Sequence, residues 1–329
     1  MTTATGIGSH PGDGDAAYAE AVRVVLGELP DPEGLPYVPE LPGRGPATTL
    51  TGRAVAVATD LAFDLQPAGW RLTGSEGRDQ RRARSRLAQD LDQVEEQSQG
   101  LTGAFKTQVV GPWTLAATVE RPRGDLTLAD PGARRELAQA LAEGARRHVA
   151  DLRRRIPGID RWVVQLDEPA LPAVLNGSIP TSSGFGRHRS VHPPEVSAGL
   201  EWVVGAIRDA GAEPWVHACA PGTPLALLRG AGAAGLAVDL DQVDAPGHDQ
   251  LAEALEAGET VVLGVVPTTI TADEKAVVER VERWLDMLGL QPTPGLVISP
   301  TCGLAGADPA ASARQALAVS RRVAHGFVG

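Results

Sequence analysis

Glu213-Pro214-Trp215-Val216-His217-Ala218-Cys219, a helical pattern over 223–232, and then Leu236-Ala237-Val238-Asp239-Leu240 form the stretch whose reading decides the fold. Each apolar run is short, and each leads into side chains that bind metals or protons. Runs of four to eight residues without polar alternation read as strands buried on both faces, which is how parallel strands look when helices cover them. Strand, helix and strand in so short a span is the βαβ rhythm.

The rhythm extends in both directions. Strands are expected at Thr5 to Ser9, Ala54 to Thr59, Thr107 to Gly111, Trp162 to Leu166, Glu213 to Val216, Leu236 to Leu240, Thr260 to Val266 and Leu296 to Ser299. Helices are expected near 15–28, 78–98, 131–155, 194–210, 223–232, 248–257, 271–288 and 308–325. Asp130-Pro131 and Asp308-Pro309 are start signals, a capping carboxylate ahead of a proline suited to the first turn. Eight such units predict an α/β fold, a (β/α)8 TIM barrel. A doubly wound sheet would want a phosphate-binding turn after its first strand, and Thr5-Gly6-Ile7-Gly8-Ser9-His10-Pro11-Gly12 places His10-Pro11 where the helix should begin. The 329 residues fit one large barrel, so 1–329 is expected to be a single catalytic unit.

One segment breaks the rhythm. Leu29 to Pro46 holds Pro30, Pro32, Pro36, Pro39, Pro42 and Pro46, which excludes a regular helix or central strand and predicts an extended arm at about 29–46. Asn176 to His192, polar and rich in Gly and Ser, is expected to be a loop over the active face.

Composition narrows the function. A net charge of −11 disfavours a nucleic-acid partner, because phosphate binding depends on basic clusters. No apolar run is long enough to span a membrane, and the start of the chain has no export-signal pattern, so a cytoplasmic location is expected. Lysine is nearly absent: Lys106 and Lys275 stand beside 28 arginines.

In a barrel, polar residues at the C-terminal ends of strands are the candidates for chemistry. Ser9, Asp167-Glu168, His217, Cys219, Asp241 and Cys302 fall there, and the last follows Leu296-Val297-Ile298-Ser299. Cys219 and Cys302 are the only cysteines. Read alone they are core cysteines, a disulfide, or, with His217, ligands of a zinc ion. Two thiolates neutralise the charge of such a metal, which suits it to carry a substrate thiolate rather than to activate water.

Ile7-Gly8-Ser9, Val110-Gly111-Pro112-Trp113-Thr114, Gln165-Leu166-Asp167-Glu168-Pro169-Ala170-Leu171, His217-Ala218-Cys219 and Ser299-Pro300-Thr301-Cys302-Gly303-Leu304 closely resemble the C-terminal catalytic half of cobalamin-independent methionine synthase. The resemblance implies a zinc-dependent methyltransferase that takes homocysteine as a zinc-bound thiolate and gives methionine. By it, His217, Cys219 and Cys302 are metal ligands, and Ile7, Gly8, Ser9 and Asp167 form the amino-acid site, with Glu168 supporting it. The family's glutamate ligand corresponds to Asp241, one carbon shorter; Asp239, two residues earlier on the same strand, is the alternative. For the family's second carboxylate at the amino group the candidate is Glu76, and His10 is a candidate for proton transfer. The family's folate-binding N-terminal barrel has no counterpart here, which implies methylcobalamin or another corrinoid as donor rather than methylfolate polyglutamate. Two other readings stay open: an alkyltransferase acting on a coenzyme M type thiol, for which Arg187, His188, Arg189 and His192 supply positive charge, and a non-catalytic zinc or amino-acid-binding relative.

Overall fold

The computed structural model describes residues 2–269, 273–307 and 310–327. Its elements in chain order are β1 (Thr3–Ala4), α1 (Asp15–Glu28), α2 (Leu50–Val57), β2 (Ala62–Gln66), β3 (Gly69–Thr73), α3 (Arg78–Gln97), β4 (Gly103–Val110), α4 (Pro112–Ala116), α5 (Pro131–Arg155), β5 (Ile159–Asp167), α6 (Leu171–Asn176), α7 (Pro193–Asp209), β6 (Glu213–Ala218), α8 (Leu225–Gly230), β7 (Gly235–Asp239), α9 (Ala245–Glu256), β8 (Thr260–Val266), α10 (Glu274–Leu288), β9 (Leu296–Pro300) and α11 (Ala310–Gly326). The Asp308-Pro309 start signal and the first two residues of the helix expected at 271–288 lie outside the described residues.

Seven strands pair in parallel in the order β1-β9-β8-β7-β6-β5-β4, a curled sheet of TIM-barrel type, with β2 and β3 forming a separate antiparallel hairpin. Among the described residues no helix is long and apolar enough to cross a membrane.

Most of the strand expected at Ala54 to Thr59 is instead the second half of helix α2, which ends at Val57. Its Ala-Val run satisfies either element by periodicity, and alanine is the strongest helix former. The local signal that settles it lies upstream, where the Thr49 hydroxyl accepts the Gly52 N–H at 3.3 Å and caps the helix. The first strand is also shorter and earlier than expected, ending at Ala4 rather than running over 5–9.

The proline-rich segment expected as an extended arm packs against the sheet. Residues 33–40 run between the sheet edges, with parallel bridges from Gly34 to Ala4 and from Glu40 to Ser9 on the β1 side, and from Tyr37 to Lys106 on β4. The prolines are compatible with this because the amides that donate belong to the other residues: Leu35 N–H to Ala4, Val38 N–H to Lys106 and Glu40 N–H to Gly8, at 2.7 to 3.0 Å. Pro36 uses only its carbonyl, accepting from Lys106 N–H at 2.8 Å.

Side chains inside the curl stack in layers. Leu35, Ala104, Val163, Trp215, Ala237, Val262 and Val297, one from the proline-rich segment and one from each of β4 to β9, form an apolar cluster of their own. Strand side chains recur on one face every second residue. The next inward layer is therefore Tyr37, Lys106, Gln165, His217, Asp239, Gly264 and Ser299, which is polar almost throughout. This change from apolar floor to polar layer is what positions the site.

Candidate metal centre

His217 rises from that polar layer on β6, and Cys219 follows one residue past the strand. Cys302 comes from the turn after β9. The ligand atoms of all three lie within 4.8 Å of one another, and the two sulfurs are 3.2 Å apart. Asp167 pairs with His217 in the β5–β6 register, and its Oδ1 accepts a hydrogen bond from His217 Nδ1 at 2.9 Å. That bond leaves Nε2 as the free nitrogen, and Nε2 is buried without a partner. A carboxylate on Nδ1 and an unpaired Nε2 facing two thiols is the arrangement of a metal-binding histidine.

Electrostatics follow from the same contacts. Burial opposes a charge on His217, but its hydrogen bond to Asp167 and the nearby charges of Asp167 and Cys302 prevail and raise its pKa to about 9. Within the thiol pair, the hydrogen bond from Cys219 lowers the pKa of Cys302, with His217 adding to the effect, and that of Cys219 is raised.

Three of the four expected ligands come together; Asp241 stands apart. β7 ends at Asp239, and Leu240–Gln242 forms a 3-10 turn, so the period-two placement that would face residue 241 inward no longer applies. Asp241 is 62% exposed at its side chain and ion-pairs with Arg280. Asp239 is half-buried in the inward layer; burial raises its pKa, and the charge of Cys302 is among the further causes.

Ile7, Gly8 and Ser9 lie beside this centre. The Ile7 carbonyl accepts from Lys106 Nζ at 3.1 Å and Gln165 Nε2 at 2.8 Å. Ser9 meets the Cys302 turn: its carbonyl accepts from Leu304 N–H at 2.9 Å, and its hydroxyl accepts from Ala305 N–H at 3.3 Å. Gly303 lets the turn approach closely, since a Cβ there would force the Ser9 hydroxyl to move.

Glu76 is displaced to the surface after the β2–β3 hairpin, where it pairs with Arg84 at 2.7 Å. Sequence reasoning passed over Glu40 instead. It is buried on the proline-rich segment, and burial raises its pKa to about 7, with Arg53 opposing and Asp167 adding to the rise. The signal was available as the one acidic residue following the Pro36-Tyr37-Val38-Pro39 run, but only the segment's place between the sheet edges gives it meaning. Glu168 turns away from the metal-capable cluster: it accepts from Trp113 N–H, Thr114 N–H and the Thr114 hydroxyl at 2.7 to 2.9 Å, holding the start of α4. His10 is buried, 2.6 Å from the Tyr37 hydroxyl, and burial lowers its pKa to about 4. In the 176–192 loop, His188 faces Asp125 at 3.1 Å and Arg187 donates to the Ser178 carbonyl, so both are engaged within the loop and its neighbour.

The family model described as "Cobalamin-independent synthase, Catalytic domain" matches residues 93–326. The chain belongs to that family. A cobalamin-independent synthase catalytic domain is a methyltransferase-type enzyme domain acting on small-molecule substrates, and the family is zinc-dependent in general. No curated protein matches the chain in sequence. Solved structures similar to this synthase domain include a methylaspartate ammonia lyase from Clostridium tetanomorphum (10% identity, TM-score 0.44, 100% of this chain and 60% of that one). Others are a 3-keto-D-glucoside 4-epimerase from E. coli (15%, 0.40, 72% and 86%) and a 2,3-dimethylmalate lyase (12%, 0.40, 95% and 79%). The chain thus spans about 60% of the length of the lyase from Clostridium.

Proposed function

We propose that this synthase domain is a zinc-dependent methyltransferase that methylates the thiol of homocysteine to give methionine. The observation that carries the reading is the buried, unpartnered Nε2 of His217 facing two cysteine sulfurs, with Asp167 on the opposite nitrogen. The donor set fits zinc: one imidazole and two thiols, the second-shell carboxylate in place. His217, Cys219 and Cys302 would hold the ion, and Asp239, half-buried in the same inward layer, is the carboxylate this reading offers as a further ligand. Zinc bound there would lower the pKa of a substrate thiol while leaving its sulfur nucleophilic.

The residues around the centre suit an amino-acid substrate. Asp167 spends Oδ1 on His217 and Gln165, and its Oδ2 accepts no hydrogen bond among the described residues, so it is available to an ammonium group. Glu40, rather than Glu76, is the second carboxylate in this reading, because the charges of Glu40 and Asp167 already influence one another across the site. The Ile7-Gly8-Ser9 turn borders the same space.

We read the described chain as one catalytic unit, including the residues before 93. Residues 33–40 bridge to both edges of the parallel sheet, β1 and β4, which supports reading the fold as a (β/α)8 barrel with this segment in the place of a strand. A net charge of −11 disfavours a polyglutamate tail, which supports a corrinoid donor. The test is methyl transfer to homocysteine from methylcobalamin and from methylfolate, assayed separately on zinc-loaded protein. Transfer from methylcobalamin is expected; turnover with folate alone would reject the donor, and turnover with neither would reject the activity.

A further inference from the structure

Lys106 is one of only two lysines in the chain, and it is fully buried inside the sheet, in the same inward layer as His217. Its protons are accounted for. Nζ donates to the Ile7 carbonyl at 3.1 Å and to Gln165 Oε1 at 2.8 Å, and it lies 4.9 Å from the centre of the Tyr37 ring. Burial lowers the pKa of Lys106 to about 7, and in either protonation state Nζ keeps N–H donors for both Gln165 Oε1 and the Ile7 carbonyl. Gln165 presents Oε1 to Lys106, and the flipped amide would lose that bond and set its oxygen against two acceptors, the Ile7 carbonyl and Asp167 Oδ1. With Oε1 fixed, Nε2 faces the other side, where it donates to the Ile7 carbonyl and to Asp167 Oδ1, both at 2.8 Å. Asp167 Oδ1 also accepts from His217 Nδ1, which turns Nε2 toward the sulfurs.

We propose that Lys106, acting through Gln165, is a positioning residue that fixes Asp167 and thereby aims His217 at the metal, while tying the Ile7–Ser9 turn into the same network. The proposal rests on His217 being a metal ligand in the reading above, and it goes beyond that reading by giving a role to two residues that touch neither metal nor substrate. The relay acts in series. Losing Lys106 frees Oε1, the terminal amide torsion of Gln165 broadens, and Asp167 loses its second anchor.

The test uses Lys106→Met, Gln165→Met, the double variant and Gln165→Glu, each checked for folding by circular dichroism. Zinc affinity is read by chelator competition, and the downfield His217 Nδ1 proton by NMR of the metal-free protein, assigned by its loss in His217→Asn. Each single methionine variant is expected to bind zinc about 10- to 100-fold more weakly, as loss of an outer-shell partner does, and to lose or broaden the proton signal. The double variant is expected to be no weaker than the worse single one, which independent packing defects would not produce. Gln165→Glu keeps a partner for Lys106 but cannot donate to Asp167, so it too is expected to lose the signal, and it decides the matter if Lys106→Met does not fold. Affinity and signal unchanged in folded variants, or losses that add in the double variant, would overturn the relay. If the wild type binds no zinc, the metal reading fails while the proton signal still decides the relay. If it binds zinc but methylates no thiol, only the function fails.

Discussion

The ladder from β4 to β9 and the first 75 residues were built by different rules. Along the ladder, each strand contains a short apolar run, and each was found within a few residues of its expected place. In the N-terminal part an expected strand is a helix, an expected arm bridges both sheet edges, and the β2–β3 hairpin had no expectation at all. The contrast shows that local pattern suffices where one element repeats one hydrogen-bonding role, and fails where a segment changes partners every few residues. The metal-capable trio sits on the first kind of structure; Glu40 and the Ile7–Ser9 turn sit on the second.

The comparison can be broken most directly at the metal. Cys302→Ser is expected to lower zinc affinity by more than ~100-fold, beyond what outer-shell changes cost, and to abolish methyl transfer while the protein stays folded. Zinc content after dialysis checks it. If zinc remained, the ladder would not be carrying the metal site.

A second experiment addresses Glu40. Its pKa rises from 4.5 to about 7 in the folded chain because burial disfavours its charge. Between those values the folded state binds more protons than the unfolded one, so this term is fully present below pH 4.5 and is lost as pH rises through about 7. It amounts to about 3 kcal/mol. Urea unfolding of Glu40→Gln is expected to decline less than the wild type by roughly that amount over this window, with the Glu168 contribution retained in both. Parallel curves would mean that the proline-rich segment does not hold Glu40 inside. The smallest effect concerns α2: Thr49→Ala is expected to cost about 1 kcal/mol by removing a helix cap, and no loss of stability would argue against the helix.

Much of the site was legible because its chemistry is scarce in the sequence. Two cysteines and a histidine at strand ends needed only parallel strands to converge, whereas the bond from His217 to Asp167 was not legible. Asp241 and Glu76 were misplaced for a shared reason. Spacing along the chain gives a residue's distance from a motif, but the side chain points where the backbone ends its strand or turn. One 3-10 turn after Asp239 sends Asp241 to Arg280, and the short β2–β3 hairpin carries Glu76 to the surface.

The sequence by itself determined the parallel strands, most of the helices flanking them and the identity of the thiol and imidazole donors, because periodicity and residue chemistry are local properties. Only the tertiary structure decided which carboxylates face inward, that proline-rich residues 33–40 span both sheet edges, and that one buried lysine bonds both the Ile7 carbonyl and Gln165. Those outcomes depend on hydrogen-bond partners far apart in the chain, such as Ile7 and Gln165, which no local pattern encodes.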